Sequence, residues 1–130
     1  MKEYQRIEEL IQTSLTEPYW KLVEDEINGK ESRLEEFQRR IRVLSRMKRD
    51  ISSLESKIFK MGQDREWETI RDYLSHMDQL VELQLQLNRM LCHRQNGCSL
   101  NMEEYERVSI EIDCLERRIA RRLEGRQTSV

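Results

Sequence analysis

The chain has 130 residues, of which 37% are charged and 6% aromatic, with four Gly and one Pro. This composition is typical of long helices or coiled coils, and it excludes a sheet-based domain. The formal net charge is −2, so no overall positive field draws the protein to nucleic acid or to an acidic membrane.

The first residues and the cysteines indicate where the protein works. The run MKEYQRIEEL is charged where a signal peptide carries an apolar core, and no apolar run approaches the roughly 18 residues of a membrane span. The three Cys are an odd number and do not resemble a disulfide framework. We therefore expect a cytoplasmic protein, in the host cytoplasm if it is viral, with reduced thiols and no membrane contact.

Apolar residues near the amino end predict a first, short amphipathic helix. They share one helical face and are Tyr4, Ile7, Leu10 and Ile11. Thr16 then has the character of an N-cap, with Glu17 and Pro18 in the first turn that follows. The sequence therefore predicts that a second helix starts at Thr16.

A long apolar stripe follows from this start and predicts a coiled-coil-like helix. Its members recur at steps of three and four residues and are Trp20, Val23, Ile27, Leu34, Phe37, Ile41, Leu44, Met47, Ile51, Leu54, Ile58 and Met61. Gly62, Gln63 and Asp64 then form a short break, with Asp64 a suitable N-cap for the next helix.

Two interpretations of residues 28–31 are open. In one, Asn28 and Gly29 end a helix, and Ser32 starts another through a capping box with Glu35. In the other, the helix continues and carries a Gly penalty of about 1 kcal/mol. We favour the continuous helix, because the stripe keeps its phase across this stretch.

The third helix carries a stripe of the same kind and is expected to fold back on the second as a hairpin. Its members are Trp67, Ile70, Leu74, Met77, Leu80, Leu83, Leu87 and Met90. Residues 92–101 contain Asn-Gly and lack periodicity, which predicts a loop. The last helix starts with a capping box between Asn101 and Glu104, and Gly125 is expected to end it.

These elements predict an all-α fold: a helical hairpin extended to a coiled-coil-like three-helix bundle over residues 36–125. Residues 1–35 form an N-terminal helical arm, and residues 126–130 form a flexible tail. At equal rise per residue, the last helix would lie beside the second. The basic stretch 39–49 would then face the acidic stretch 103–116, and their pairing would select the register.

The arm is the predicted association surface. In this arrangement the arm projects beyond the three-helix body, so part of its stripe has no partner there. Exposed apolar stripes of this kind usually mark association. We expect a homodimer or a helical protein partner to contact Trp20, Val23, Ile27 and Leu34.

The alternative function is binding of nucleic acid by arginine-rich helix faces. An arginine-rich face can neutralise phosphates, and the candidate contacts are Arg117, Arg118, Arg121 and Arg122. Acidic stretches of matching size in the same chain favour intramolecular pairing instead. Protein interaction is therefore the preferred function.

No catalytic, cofactor-binding or metal site is predicted. Cys92, His93 and Cys98 share one loop and are ligand types that zinc prefers. Cys114 and His76 lie too far along their helices, about 20 Å or more at 1.5 Å per residue, to supply a fourth ligand. We expect a protein that is not an enzyme.

Two runs resemble small helical proteins of tailed phages. They are LTEPYWKLVEDEINGK, with its Pro-x-Trp helix start, and EWETIRDYLSHMDQLVEL, with Arg71 at its centre. Those proteins often have Arg-Gly where this chain has Arg71-Asp72. The resemblance implies an accessory protein for virion assembly or host interaction.

Overall fold

Helices account for nearly all of the structure, a computed structural model that describes residues 2–27, 34–61 and 65–128 and gives side chains for residues 5–24, 34–61, 65 and 67–121. The predicted all-α fold is confirmed, and no strand occurs among these residues. In chain order the elements are α1 (Lys2–Ile11), a π turn (Gln12–Thr16), α2 (Glu17–Ile27), α3 (Leu34–Met61), α4 (Arg65–Gln95) and α5 (Met102–Thr128).

The hairpin of α3 and α4 forms as its stripes predict. Both helices bury most of the predicted positions, including Leu44, Ile51 and Ile58 of α3 and Leu74 and Leu80 of α4. Lys48 of α3 contacts α4: its Nζ is 3.2 Å from Asp78 Oδ1 and 3.1 Å from Glu82 Oε2. This contact is consistent with the antiparallel register that the buried stripes set.

Helix α4 is buried over a wider face than its stripe predicts. Val81, Gln84, Leu85 and Asn88 are also buried. The reason is that α4 packs against both α3 and α5, so it presents apolar surface in two directions. A single stripe of steps of three and four describes only one of these contacts.

The connection from α4 to α5 is shorter than the predicted loop. Helix α4 continues through Cys92 to Gln95 and ends in a Schellman motif, in which the Cys98 N–H donates to the His93 carbonyl at 2.9 Å. Gly97 adopts φ +90°, which a residue without a Cβ accepts at no steric cost. The predicted cap of α5 is confirmed, since the Glu104 N–H donates to Asn101 Oδ1 at 3.2 Å.

Gly125 does not end α5, because the helix continues to Thr128. The prediction of an end there was wrong. A glycine in a helix interior costs only about 1 kcal/mol, so it does not have to end the helix.

Helix α2 begins at Glu17, next to Thr16, but the prediction that Thr16 is the N-cap of a separate helix was wrong. Residues 12–16 form a π turn within a helix that continues on both sides, with Ile11 at φ −61° and Glu17 at φ −63°. The Glu17 N–H donates to the Gln12 carbonyl, five residues back. The Thr16 side chain does not cap α2. Its hydroxyl instead shares a 2.6 Å hydrogen bond with the Tyr73 hydroxyl of α4. We call residues 2–27 the N-terminal helix.

The N-terminal helix packs onto the bundle instead of projecting from it, so the predicted projection was wrong for its described residues. Its buried face belongs to the same core as α3, α4 and α5 and comprises Ile7, Ile11, Leu15, Tyr19 and Leu22. These residues are spaced by four, four, four and three. The π turn keeps them on one side, and that face meets the other three helices.

A polar network joins the N-terminal helix to α4 and α5. The fully buried Tyr19 donates its hydroxyl proton to Glu116 Oε1 at 2.6 Å and accepts a hydrogen bond from Gln84 Nε2 at 3.2 Å. Asn88 Nδ2 donates to the Gln84 carbonyl at 2.7 Å. Hydrogen bonds to a carboxylate contribute more than neutral ones, so Tyr19 ties three helices together.

Two buried polar side chains remain incompletely paired. Arg40 of α3 is 3% exposed, and its Nε and Nη1 have no hydrogen-bond partner among the described residues. Its guanidinium lies 5.7 Å from the centre of the Phe37 ring, which offers a cation–π contact. Asn88 Oδ1 is likewise unpaired. Burial of such groups without partners is costly.

The predicted pairing between the basic stretch of α3 and the acidic stretch of α5 is not found among the described residues. Lys48 pairs with α4, while Glu111 pairs with Arg107 at 3.9 Å and Asp113 with Arg117 at 3.1 Å, both within α5. The continuity of the helix across residues 28–31 and the N-cap at Asp64 lie outside the described residues.

Candidate functional site

An open groove lies between α4 and α5 and reaches Lys48 of α3. Its volume is about 510 Å³. The residues that line it come from three helices and are Lys48, Asp78, Gln79, Glu82, Leu83, Ile110, Glu111, Cys114, Leu115 and Arg118. The groove is therefore a feature of the packed bundle and does not exist in any single helix.

The helical period explains why these residues of α5 line a groove. Val108, Ile112 and Ile119 are buried along one face of α5. Glu111 and Arg118 lie about 100° or more around the helix from Ile112, on one flank of that face, while Glu116 lies on the opposite flank and meets Tyr19. The N-terminal helix thus covers one flank and leaves the other open.

The groove has an apolar floor and one exposed apolar residue. Leu83 and Leu115 are half-buried and pack against the core. Ile110 is 63% exposed, and the exposed Cys114 lies one turn further along α5. A partner that covered these side chains would remove apolar surface from water, at about 25 cal/mol per Å².

The rim of the groove is charged. Burial alone would lower the pKa of Lys48, but its hydrogen bonds to Glu82 and Asp78 and their negative charges outweigh that effect, so the pKa lies above its usual value. Burial and the negative charge of Asp78 raise the pKa of Glu55 nearby on α3. Glu111 and Arg118 supply one charge of each sign on the α5 side.

The structure places the four predicted interface residues in different environments. Trp20 and Val23 are half-buried and pack against the core, so the premise that they have no partner within the chain was wrong. Leu34 is half-buried. The Ile27 side chain lies outside the described residues. A role for these residues in binding a partner remains a prediction.

The predicted phosphate contacts lie on the exposed side of α5. Arg117, Arg118 and Arg121 are exposed, and Arg117 pairs with Asp113 at 3.1 Å. The Arg122 side chain is outside the described residues. The structure brings only Arg118 into the groove.

The candidate zinc ligands lie at the end of α4. Cys92 is half-buried in the helix, and burial raises the pKa of its thiol. His93 and Cys98 are exposed. Within the part of the chain that the structure describes, no group of three or more His, Cys, Asp or Glu side chains could hold a metal ion.

The groove was not predicted from the sequence, although the sequence contains one signal of it. Ile110 lies off the stripe of α5, two residues from both Val108 and Ile112. An apolar residue outside the stripe adds apolar surface on a second side of that helix. Locating the α4 wall of the groove requires the packed arrangement.

Comparisons with known proteins give no relative. No protein-family model, no curated protein and no solved structure matches the chain. Among the described residues, no helix is both long enough and apolar enough to cross a bilayer.

Proposed function

We propose that this chain is a non-enzymatic helical interaction protein, a scaffold that acts by docking a helix in the groove between α4 and α5. The observation that carries the proposal is the exposed Ile110 beside a groove with an apolar floor and a charged rim. Grooves of this character receive the apolar face of an amphipathic helix. The charges around the rim would give such a contact its specificity.

This groove replaces the arm as the preferred interface. Trp20 and Val23 are already packed against the core, so a partner there would gain less apolar burial than at Ile110. The sequence resemblance to tailed-phage proteins, taken alone, suggests a role in virion assembly or host interaction. That role and a cytoplasmic location belong to the proposal.

Photocrosslinking in cells that express the chain tests the proposal. A photoreactive residue at position 110 should give protein adducts. Position 59 is the matched control, because Phe59 is also on a helix and is 70% exposed. Adducts at position 110 in clear excess over position 59 support docking in the groove. Equal labelling at both positions would contradict it.

The second candidate function is phosphate binding by α5. Arg118 and Arg121 are exposed and make no ion pair in the described part of the chain, so both are available to an anion. Nucleic-acid binding would be salt-dependent. A gel shift at low salt that Arg118→Gln with Arg121→Gln abolishes would support it, and absence of any shift would dismiss it.

A further inference from the structure

We propose that the occupant of the groove is a second copy of this chain, with the two α5 helices running antiparallel across a two-fold axis near Cys114. This inference rests on the proposed function and names its partner.

Charge is divided between the two halves of α5. The described acidic side chains of the first half are Glu103, Glu104, Glu106, Glu111 and Asp113, with Arg107 the single base among them. The following turns carry Arg117, Arg118 and Arg121, with one described acid, Glu116. Two such helices placed parallel would set like charges side by side. Placed antiparallel, the acidic half of each helix runs beside the basic half of the other, apart from Glu116, which faces Tyr19 on the opposite flank, and such complementarity fixes orientation in helix pairs.

The two charged groove residues of α5 lie at equal distances along the helix from one point. Glu111 and Arg118 both line the groove, and the midpoint between them falls between Cys114 and Leu115. An antiparallel pair centred there places Glu111 of one copy against Arg118 of the other, and the reverse pair on the other side of the axis. A two-fold interface requires this reciprocity.

Neither Glu111 nor Arg118 makes a strong ion pair among the described residues. The contact from Glu111 to Arg107 is 3.9 Å long between exposed side chains, and such pairs contribute little. Arg118 makes no ion pair among the described residues. Both side chains can therefore turn toward a second copy at small cost.

The same arrangement covers the exposed apolar residue of the groove. Ile110 lies one turn before Cys114, so it would pack close to the axis, together with the half-buried Leu115. The reciprocal contact doubles the apolar surface removed from water. Apolar burial then supplies the affinity, and the Glu111–Arg118 pairs supply the orientation.

The thiols provide a direct test of the axis. Purified full-length chain carrying C92A and C98A keeps only Cys114, and the matched control carrying C92A and C114A keeps only Cys98, which is also exposed. Copper phenanthroline removes two electrons and two protons from a thiol pair to form a disulfide. Cysteines at the axis should crosslink far faster than Cys98, since a disulfide needs Cα atoms about 4.4–6.8 Å apart.

Charge reversal tests the orientation by molecular mass in solution. Glu111→Arg and Arg118→Glu should each weaken the dimer by about tenfold or more in Kd, because each change alters two symmetric pairs. The double variant restores both pairs and should restore the dimer. Failure of this rescue would overturn the antiparallel register.

Failure of the dimer and failure of helix docking in the groove give different results. If the chain keeps its monomer mass of 15.9 kDa at all concentrations, and Cys114 crosslinks no faster than Cys98, the second copy is excluded. Adducts at position 110 whose mass differs from a dimer would then still support docking in the groove. Absence of preferential adducts would instead remove the proposed function itself.

Discussion

The two flanks of the α4–α5 pair differ in how far they are covered by the rest of the chain. On one, the N-terminal helix covers the core and Tyr19 bonds to both Gln84 and Glu116. On the other, Leu83 and Leu115 stay half-buried and Ile110 is exposed. The covered flank therefore holds the fold together, whereas the open flank leaves apolar surface in contact with solvent, and it is there that the proposed partner would bind.

The largest effect should come from a cavity on the covered flank. Leu15 is fully buried in the core, so Leu15→Ala should lower the free energy of unfolding by about 2–5 kcal/mol. The matched change Leu83→Ala in the groove should cost only about 1 kcal/mol, since that side chain is half-buried. Urea unfolding of both variants measures the difference. Equal losses would show that the two flanks contribute alike.

Removal of the Tyr19 hydroxyl should have the next largest effect. Tyr19→Phe leaves Gln84 and Glu116 without this partner and should lower the free energy of unfolding by about 1–3 kcal/mol. Tyr105→Phe is the control, because Tyr105 is half-buried and its hydroxyl makes no hydrogen bond in the described structure. If both changes have the same effect in urea unfolding, the network does not hold the N-terminal helix.

Replacement of Arg40 should raise the free energy of unfolding, whereas the two changes above lower it. Its guanidinium is buried with two nitrogens unpaired, so Arg40→Met keeps much of the volume, removes the desolvated charge and should raise the free energy of unfolding by about 1–2 kcal/mol. Arg39→Met, which removes an exposed pair with Glu36, should change it by less than about 0.5 kcal/mol. Thermal unfolding compares the two, and a destabilised Arg40→Met would reveal a partner for the charge.

The smallest effect concerns the groove rim and depends on pH. The pKa of Lys48 is raised in the folded chain, so its contribution is complete below the ordinary pKa near 10.5 and disappears as pH rises through the raised value. The stability difference between wild type and Lys48→Met should therefore be constant from neutral pH to about pH 9 and vanish at higher pH. A difference that persisted there would assign the effect to packing of the lysine stem.

The hairpin could be predicted from sequence because its stripes are long and regular. Leu44, Met47 and Ile51 lie where steps of three and four place them, and the Asn101 cap is a local signal that tertiary contacts did not override. Long periodic segments and caps depend on neighbours within one or two turns, and such neighbours are visible in the sequence.

The N-terminal helix and the groove could not be predicted in the same way. The stripe through Trp20 and Val23 continues the phase of α3, whereas the structure buries Tyr19 and Leu22 instead. A π turn shifts the phase without a distinctive residue type, so nothing local announces it. The groove depends on which flank of α4–α5 the N-terminal helix takes, and that choice is made by contacts far apart in the chain.

The π turn makes the number of residues in the N-terminal helix as important as their hydrophobicity. In a regular α-helix, each four-residue step from Ile7 to Tyr19 would drift by about 40°, and the first contacts would leave the core. Because the i→i+5 turn holds one residue more than an α turn, deleting a single residue between 12 and 16 would let the helix close as a regular α-helix with Ile7, Ile11 and Tyr19 still on one side. A further residue inserted elsewhere between Ile7 and Tyr19, with no second π turn to absorb it, would instead rotate Ile7 and Ile11 by about 100° relative to Tyr19 and expose them to solvent.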